Sequence, residues 1–209
     1  MNLKRRFLAT ETASIRMAGA ENRMITGYAA VFYNGDPGTE YDIYGDGYLF
    51  ERIMPGAFDR AIAEDDVRAL ENHDKNRVLG RTKAGTLRLF ADSIGLRYEI
   101  DSPDTSVSRD LMTNIGLGNI DGSSFSFIMT DNNEIRMENG KRILEVTGVR
   151  LFDVGPVTFP AYASASSGVR SVESVDINLR SELEAQEKER IAALVRDRER
   201  RVRMVRTFS

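Results

Sequence analysis

The chemically informative residues of this chain are a single histidine and a short cluster of serines. His73 is the only histidine, so any step that needs an imidazole near neutral pH must use it. Gly122-Ser123-Ser124-Phe125-Ser126-Phe127 follows a predicted helix and loop and leads into a predicted strand. A serine here is expected where the backbone turns sharply and leaves N–H groups exposed. Acyl transfer needs a hydroxyl nucleophile, an imidazole to take its proton, a group to orient that imidazole, and donors for the oxyanion. Ser124, His73 and a carboxylate can supply the first three, and backbone N–H groups between Gly122 and Phe125 the fourth. Gly-Ser-Ser alone says little, because these residues gather in turns for conformational reasons, and a lone histidine is more often structural than catalytic. The weight comes from their conjunction with Asn72-His73-Asp74 at a strand end and with Leu151-Phe152-Asp153-Val154-Gly155-Pro156-Val157-Thr158-Phe159-Pro160-Ala161-Tyr162 further along.

Composition excludes other chemistries. The chain has 209 residues and no cysteine, so thiolate catalysis, disulfides and cysteine-based zinc sites are ruled out. A net charge of -3 gives no whole-chain basic field for nucleic acid. Apolar runs fall short of the ~20 residues that span a bilayer, and the basic start Met1 to Arg6 is not followed by the apolar stretch of a secretory signal. A soluble protein with no nucleic-acid or membrane partner is expected. The acids between Asp36 and Asp46 lack the spacing of a calcium loop, so neither metal nor cofactor is expected. Arg81, Arg97 and Arg109 are weighed as lining a substrate groove, against the commoner role of a surface charge.

The elements that must position these groups follow from pattern. Thr12 to Tyr33 reads as two strands joined by a turn, Asn34 to Gly47 as a loop, and Tyr48 to Met54 as a strand. Pro55 fits the first turn of a short helix ending near Asp66, which feeds the strand Val67 to Glu71 and so delivers His73. Thr86 to Ala91 and Gly95 to Asp101 form a strand pair turning at Asp92-Ser93. Asp104 to Leu117 opens on capping residues and carries Val107, Leu111 and Ile115 on one helical face. Ser123 to Met129 and Arg142 to Val149 read as strands, with a tight turn at Asn139-Gly140, and Arg150 to Val154 as a further strand continuing into Gly155-Pro156. Many short strands with few helices indicate an α+β domain on a mainly antiparallel sheet or barrel. Residues 1–165 are expected to form the main domain, 166–177 a linker, and 178–209 a charged amphipathic helix with nine Lys or Arg against six Asp or Glu, suited either to solvent or to docking on a partner.

In order and spacing these motifs resemble the prohead maturation serine proteases of tailed phages, the HK97-type group, related in fold to herpesvirus assemblins. The resemblance spans roughly Thr26 to Ala165. It is carried by Gly27-Tyr28-Ala29-Ala30-Val31-Phe32, Glu51 to Phe58, Asn72-His73-Asp74, Leu79-Gly80, Gly95-Leu96, Ser124-Phe125-Ser126-Phe127 and Asp153-Val154-Gly155-Pro156-Val157-Thr158-Phe159-Pro160-Ala161. It implies Ser124 as nucleophile, His73 as general base, and a compact β-barrel-like core flanked by helices. It also implies cleavage of phage scaffold and major capsid proteins, and of the enzyme itself, inside the assembling prohead in the host cytoplasm. Ser126 stands where members of the group commonly have glycine, which bears on local backbone freedom and on which serine reacts. Assemblins orient their base with a second histidine, which this chain lacks, so a carboxylate is needed. Asp153, where related sequences usually carry Glu, is the first choice, with Glu145 as fallback. Asp74 is disfavoured, because a neighbour along a strand points to the opposite face. Two other readings stand beside this one. One is a non-catalytic capsid-assembly or scaffold-binding protein that keeps the protease fold. The other is an esterase or amidase, for which the Gly-x-Ser-x-Gly elbow is missing around Ser124. Oligomeric state is left open.

Overall fold

The computed structural model describes residues 4–8, 16–18, 23–43, 47–130 and 134–159. The linker and helical tail expected at 166–177 and 178–209 lie outside the described residues. Thirteen strands and two α-helices are described, in the order β1 (Lys4–Leu8), β2 (Arg16–Ala18), β3 (Met24–Val31), β4 (Tyr41–Asp42), β5 (Leu49–Ile53), α1 (Asp59–Glu64), β6 (Arg68–Leu70), β7 (Val78–Arg81), β8 (Leu87–Ala91), β9 (Gly95–Asp101), α2 (Ser106–Gly116), β10 (Gly122–Met129), β11 (Glu134–Glu138), β12 (Lys141–Val146) and β13 (Val149–Val157). Neither helix is long and apolar enough to cross a membrane.

The strands divide among three sheets with orders β1-β10-β13-β6-β7, β11-β12-β5-β4 and β2-β3-β9-β8. This is the mainly β, few-helix α+β architecture expected, but among the described residues the sheets do not close into a barrel. Each sheet keeps edge strands, and two of the pairs, β12 with β5 and β13 with β6, are parallel rather than antiparallel.

Alternation explains the packing. On β10, Phe125 and Phe127 point into the core and stack with ring centroids 4.9 Å apart, and Phe125 meets Phe58 edge-on at 5.6 Å, a favoured aromatic geometry. Helix α2 begins at Thr105, whose hydroxyl accepts from the Ser108 N–H, the N-cap bond that satisfies an otherwise orphaned donor. Its Leu111 is fully buried, with Val107 and Ile115 packed beside it, as the i, i+4, i+8 spacing requires. Pro55 sits ahead of α1 instead of in its first turn, because the left-handed Gly56 and two tight turns, Ala57 N–H to Met54 O and Asp59 N–H to Gly56 O, intervene before helical bonding starts. The hairpin at Asn139-Gly140 has both residues at positive φ, the conformation that makes Asn-Gly the favoured pair there.

On the core side of β10, the Ser123 hydroxyl is buried and meets the Tyr98 hydroxyl at 2.6 Å. Burial pushes the Tyr98 phenol well above its usual pKa, against the smaller opposing effect of that hydrogen bond. Gly27 leaves the room this phenol occupies, since a Cβ there would lie 2.7 Å from the Tyr98 Oη. Tyr98→Phe is expected to strand the Ser123 hydroxyl and lower the unfolding free energy by about 1–3 kcal/mol. Gly27→Ala, which presses on the same ring, is expected to lower it by about 1–3 kcal/mol through overpacking. Urea denaturation of both variants checks this, and unchanged midpoints would show that the pair contributes nothing to stability.

Candidate active site

Three elements of the five-stranded sheet converge on one imidazole. Strand β10 pairs antiparallel with β13, setting Ser124 opposite Gly155 and Ser126 opposite Asp153. Ser124 and Ser126, two residues apart on one strand, share the face away from Phe125 and Phe127. The register then slips between Ser126 and Phe127, whose partner is Leu151, so Phe152 is an extra residue on β13. In a regular strand Asp153 and Leu151 would share a face. The bulge separates them, keeping Asp153 beside the serines while Leu151 enters the core, 3% exposed. Bulges of this kind re-aim single side chains and gather near active sites.

His73 arrives from β6, which runs parallel to β13. Just past its end the chain makes a tight turn in which Asp74 N–H donates to Glu71 O over 3.0 Å, and both central residues, Asn72 (φ 53) and His73 (φ 57), are left-handed. Asn and His accept that region more readily than most side chains, though at a cost. The turn is pinned from two directions. Asn72 N–H donates to Pro156 O at 2.9 Å. The Asn72 side chain accepts from Thr158 N–H at 2.8 Å and donates to the Thr158 hydroxyl at 3.1 Å. Gly155 makes the approach possible, since a Cβ there would lie 2.1 Å from the Leu70 carbonyl oxygen.

The result is a chain of hydrogen bonds. The Ser124 hydroxyl lies 2.5 Å from His73 Nε2, His73 Nδ1 bonds Asp153 Oδ1, and Ser126 Oγ lies 3.0 Å from the same Nδ1. Both serines are fully buried, and His73 and Asp153 nearly so, at 8% and 7% exposed. A carboxylate at Nδ1 fixes the proton on that nitrogen and leaves the Nε2 lone pair facing Ser124. This is the arrangement that lets an imidazole withdraw a hydroxyl proton.

The other sequence candidates lie elsewhere. Glu145 is on β12 in a different sheet and pairs with Arg136 at 2.5 Å. Asp74 turns back to accept from Asn76 N–H at 2.8 Å. Arg81 is held by Asp66, Arg97 by Glu99 and the Phe90 ring, and Arg109 by Asp104; none bonds the serine–histidine–aspartate chain. The sharp turn expected around Ser124 is absent. Ser124 lies within β10, between β1 and β13, because two flanking strands extend its backbone. Along a strand paired on both sides, backbone N–H groups are directed into the neighbouring ladders. Asn72 and Thr158 brace the turn that carries the imidazole, a support role whose only mark in the sequence is an asparagine just before a histidine at a strand end. Among the described residues, no group of three or more potential ligands could hold a metal ion.

A family model described as caudovirus prohead serine protease matches residues 10–178. No curated protein matches the chain. Among solved structures, the bacteriophage T4 capsid assembly protease gp21 is similar at a TM-score of 0.42 and 12% identity, over 76% of this chain and 98% of that one.

The pinned turn yields an ordered prediction. Asn72→Gly keeps the left-handed backbone and loses the bonds to Thr158, whereas Asn72→Ala loses both. Stability is expected to fall in the order wild type, Gly, Ala, by about 1 kcal/mol at each step. Thermal unfolding measures it, and an alanine variant as stable as wild type would contradict the assignment.

Proposed function

Because the chain belongs to the caudovirus prohead serine protease family, we propose that it cleaves peptide bonds by acyl transfer, with Ser124 as nucleophile, His73 as general base and Asp153 as the group that orients it. The observation that carries this reading is the continuous contact from Ser124 Oγ through both ring nitrogens of His73 to the Asp153 carboxylate. In the first half-reaction, Ser124 Oγ bonds the scissile carbonyl carbon while its proton passes to His73 Nε2. Collapse of the tetrahedral adduct breaks the C–N bond, and the same proton goes to the leaving amine. In the second half, water attacks the acyl-serine with His73 again as base, releasing the carboxylic acid and restoring the Ser124 hydroxyl. The Asp153 carboxylate, accepting from Nδ1–H, stabilises the imidazolium formed in each half. The proposed substrates are the scaffold and major capsid proteins of the assembling shell, together with the enzyme's own chain, in the host cytoplasm.

Co-expression with the scaffold and capsid proteins, read by intact mass, tests the assignment. Ser124→Ala is expected to abolish cleavage, a loss on the order of 10⁴-fold or more, while still folding. Asp153→Asn is expected to cost on the order of 10³–10⁴-fold, because an amide at Nδ1 favours the tautomer whose Nε2 cannot accept the serine proton. Cleavage that persists in Ser124→Ala would discard this nucleophile, and wild-type cleavage in Asp153→Asn would discard the orienting carboxylate.

A further inference from the structure

Two oxygens approach His73 Nδ1, which carries a single proton. One is the Asp153 carboxylate of β13; the other is the Ser126 hydroxyl of β10, at 3.0 Å. The two residues are direct cross-strand partners, so their side chains reach the ring together from neighbouring strands. Ser126 is fully buried, and a buried hydroxyl is costly unless it has a partner; Nδ1 is the partner it meets. Ser124 and Ser126 therefore touch opposite nitrogens of one ring from the same strand. Resting on the reading of His73 as base, we propose that Ser126 is a positioning residue for the reaction, a second acceptor for Nδ1–H that fixes the imidazole plane and the tautomer that acts on Ser124.

The physical reason is directional. With one acceptor, an imidazole can pivot about that bond and swing Nε2 away from the serine. A second acceptor on the adjacent strand restrains the pivot and shields the Nδ1 proton from exchange. Ser126 supplies this without forming a bond to substrate, so its loss should lower the chemical step and leave binding alone.

The presence of one histidine makes the test clean, since ring nitrogen-15 labelling yields one imidazole signal set. In the full-length wild type, a low-field proton coupled to Nδ1 is expected. Ser126→Ala should speed its solvent exchange by about threefold or more. It should also reduce single-turnover cleavage of the shell protein identified in the co-expression by about three- to tenfold at unchanged KM. Ser126→Gly, which removes the hydroxyl without adding bulk, should reproduce both effects, and Ser126→Thr, which restores a hydroxyl, should reverse them. A Nδ1 proton and a cleavage rate in Ser126→Ala equal to wild type would overturn the proposal, as would a wild-type spectrum with the proton on Nε2. Persistent cleavage in Ser124→Ala would be a different failure: it removes the nucleophile assignment itself, whereas loss of cleavage in Ser124→Ala beside an unaltered Ser126→Ala removes the positioning role alone.

Discussion

The site depends on the pairing of β10 with β13 and on the one-residue slip within it. Antiparallel pairing fixes which residues stand opposite one another, and alternation fixes which face they take. Up to Ser126 and Asp153 the register places polar groups on one face and Phe125 with Val154 on the other. Beyond that point the slip lets Phe127 and Leu151 both enter the core. Without the extra residue at Phe152, either the aspartate or the leucine would face the wrong environment. A carboxylate in an apolar core is far costlier than one beside an imidazole, so the hydrophobic core and the polar chain share one geometric solution.

The imidazole is brought to that surface by a backbone that is costly to form. Two successive left-handed residues other than glycine are uncommon, and each costs on the order of 1–3 kcal/mol. Besides the bonds within the turn itself, compensation comes from the end of β13 and the residue after it: Pro156 and Thr158 hold Asn72, and the bare backbone of Gly155 admits Leu70. The strand that carries Asp153 thus also anchors the residue that Asp153 contacts. Distances within the polar chain are set by the pairing of β10 and β6 on either side of β13.

Much of this was legible in the sequence. Helix α2 announced itself by its cap and apolar spacing, and the Asn139-Gly140 hairpin by its turn residues. Ser124, His73 and Asp153 could be singled out because one histidine restricts the choice and ordered motifs surround each residue. Four things were not legible. Strand β1 hides in a basic opening segment whose residues do not alternate; its pairing with β10 is a long-range event with no local mark. Ser123 to Met129 reads as a strand and is one, but the sharp turn expected at Ser124 does not form, because the turn preference of glycine and serine is overridden by flanking strands. The bulge at Phe152 depends on two strands at once, so no single stretch of residues encodes it. The contact of Ser126 with Nδ1 follows from that same register and was equally invisible.

The complete burial of Ser124 has a kinetic meaning. A hydroxyl with no surface open to a water-sized sphere cannot receive a polypeptide carbonyl until the overlying atoms give way. If Ser124 is the nucleophile proposed above, turnover would be the product of an opening probability and an intrinsic rate, and apparent affinity would be diluted by the fraction of time the hydroxyl is reachable. In that proposed role, a nucleophile covered at rest would limit hydrolysis of whatever chains crowd around it.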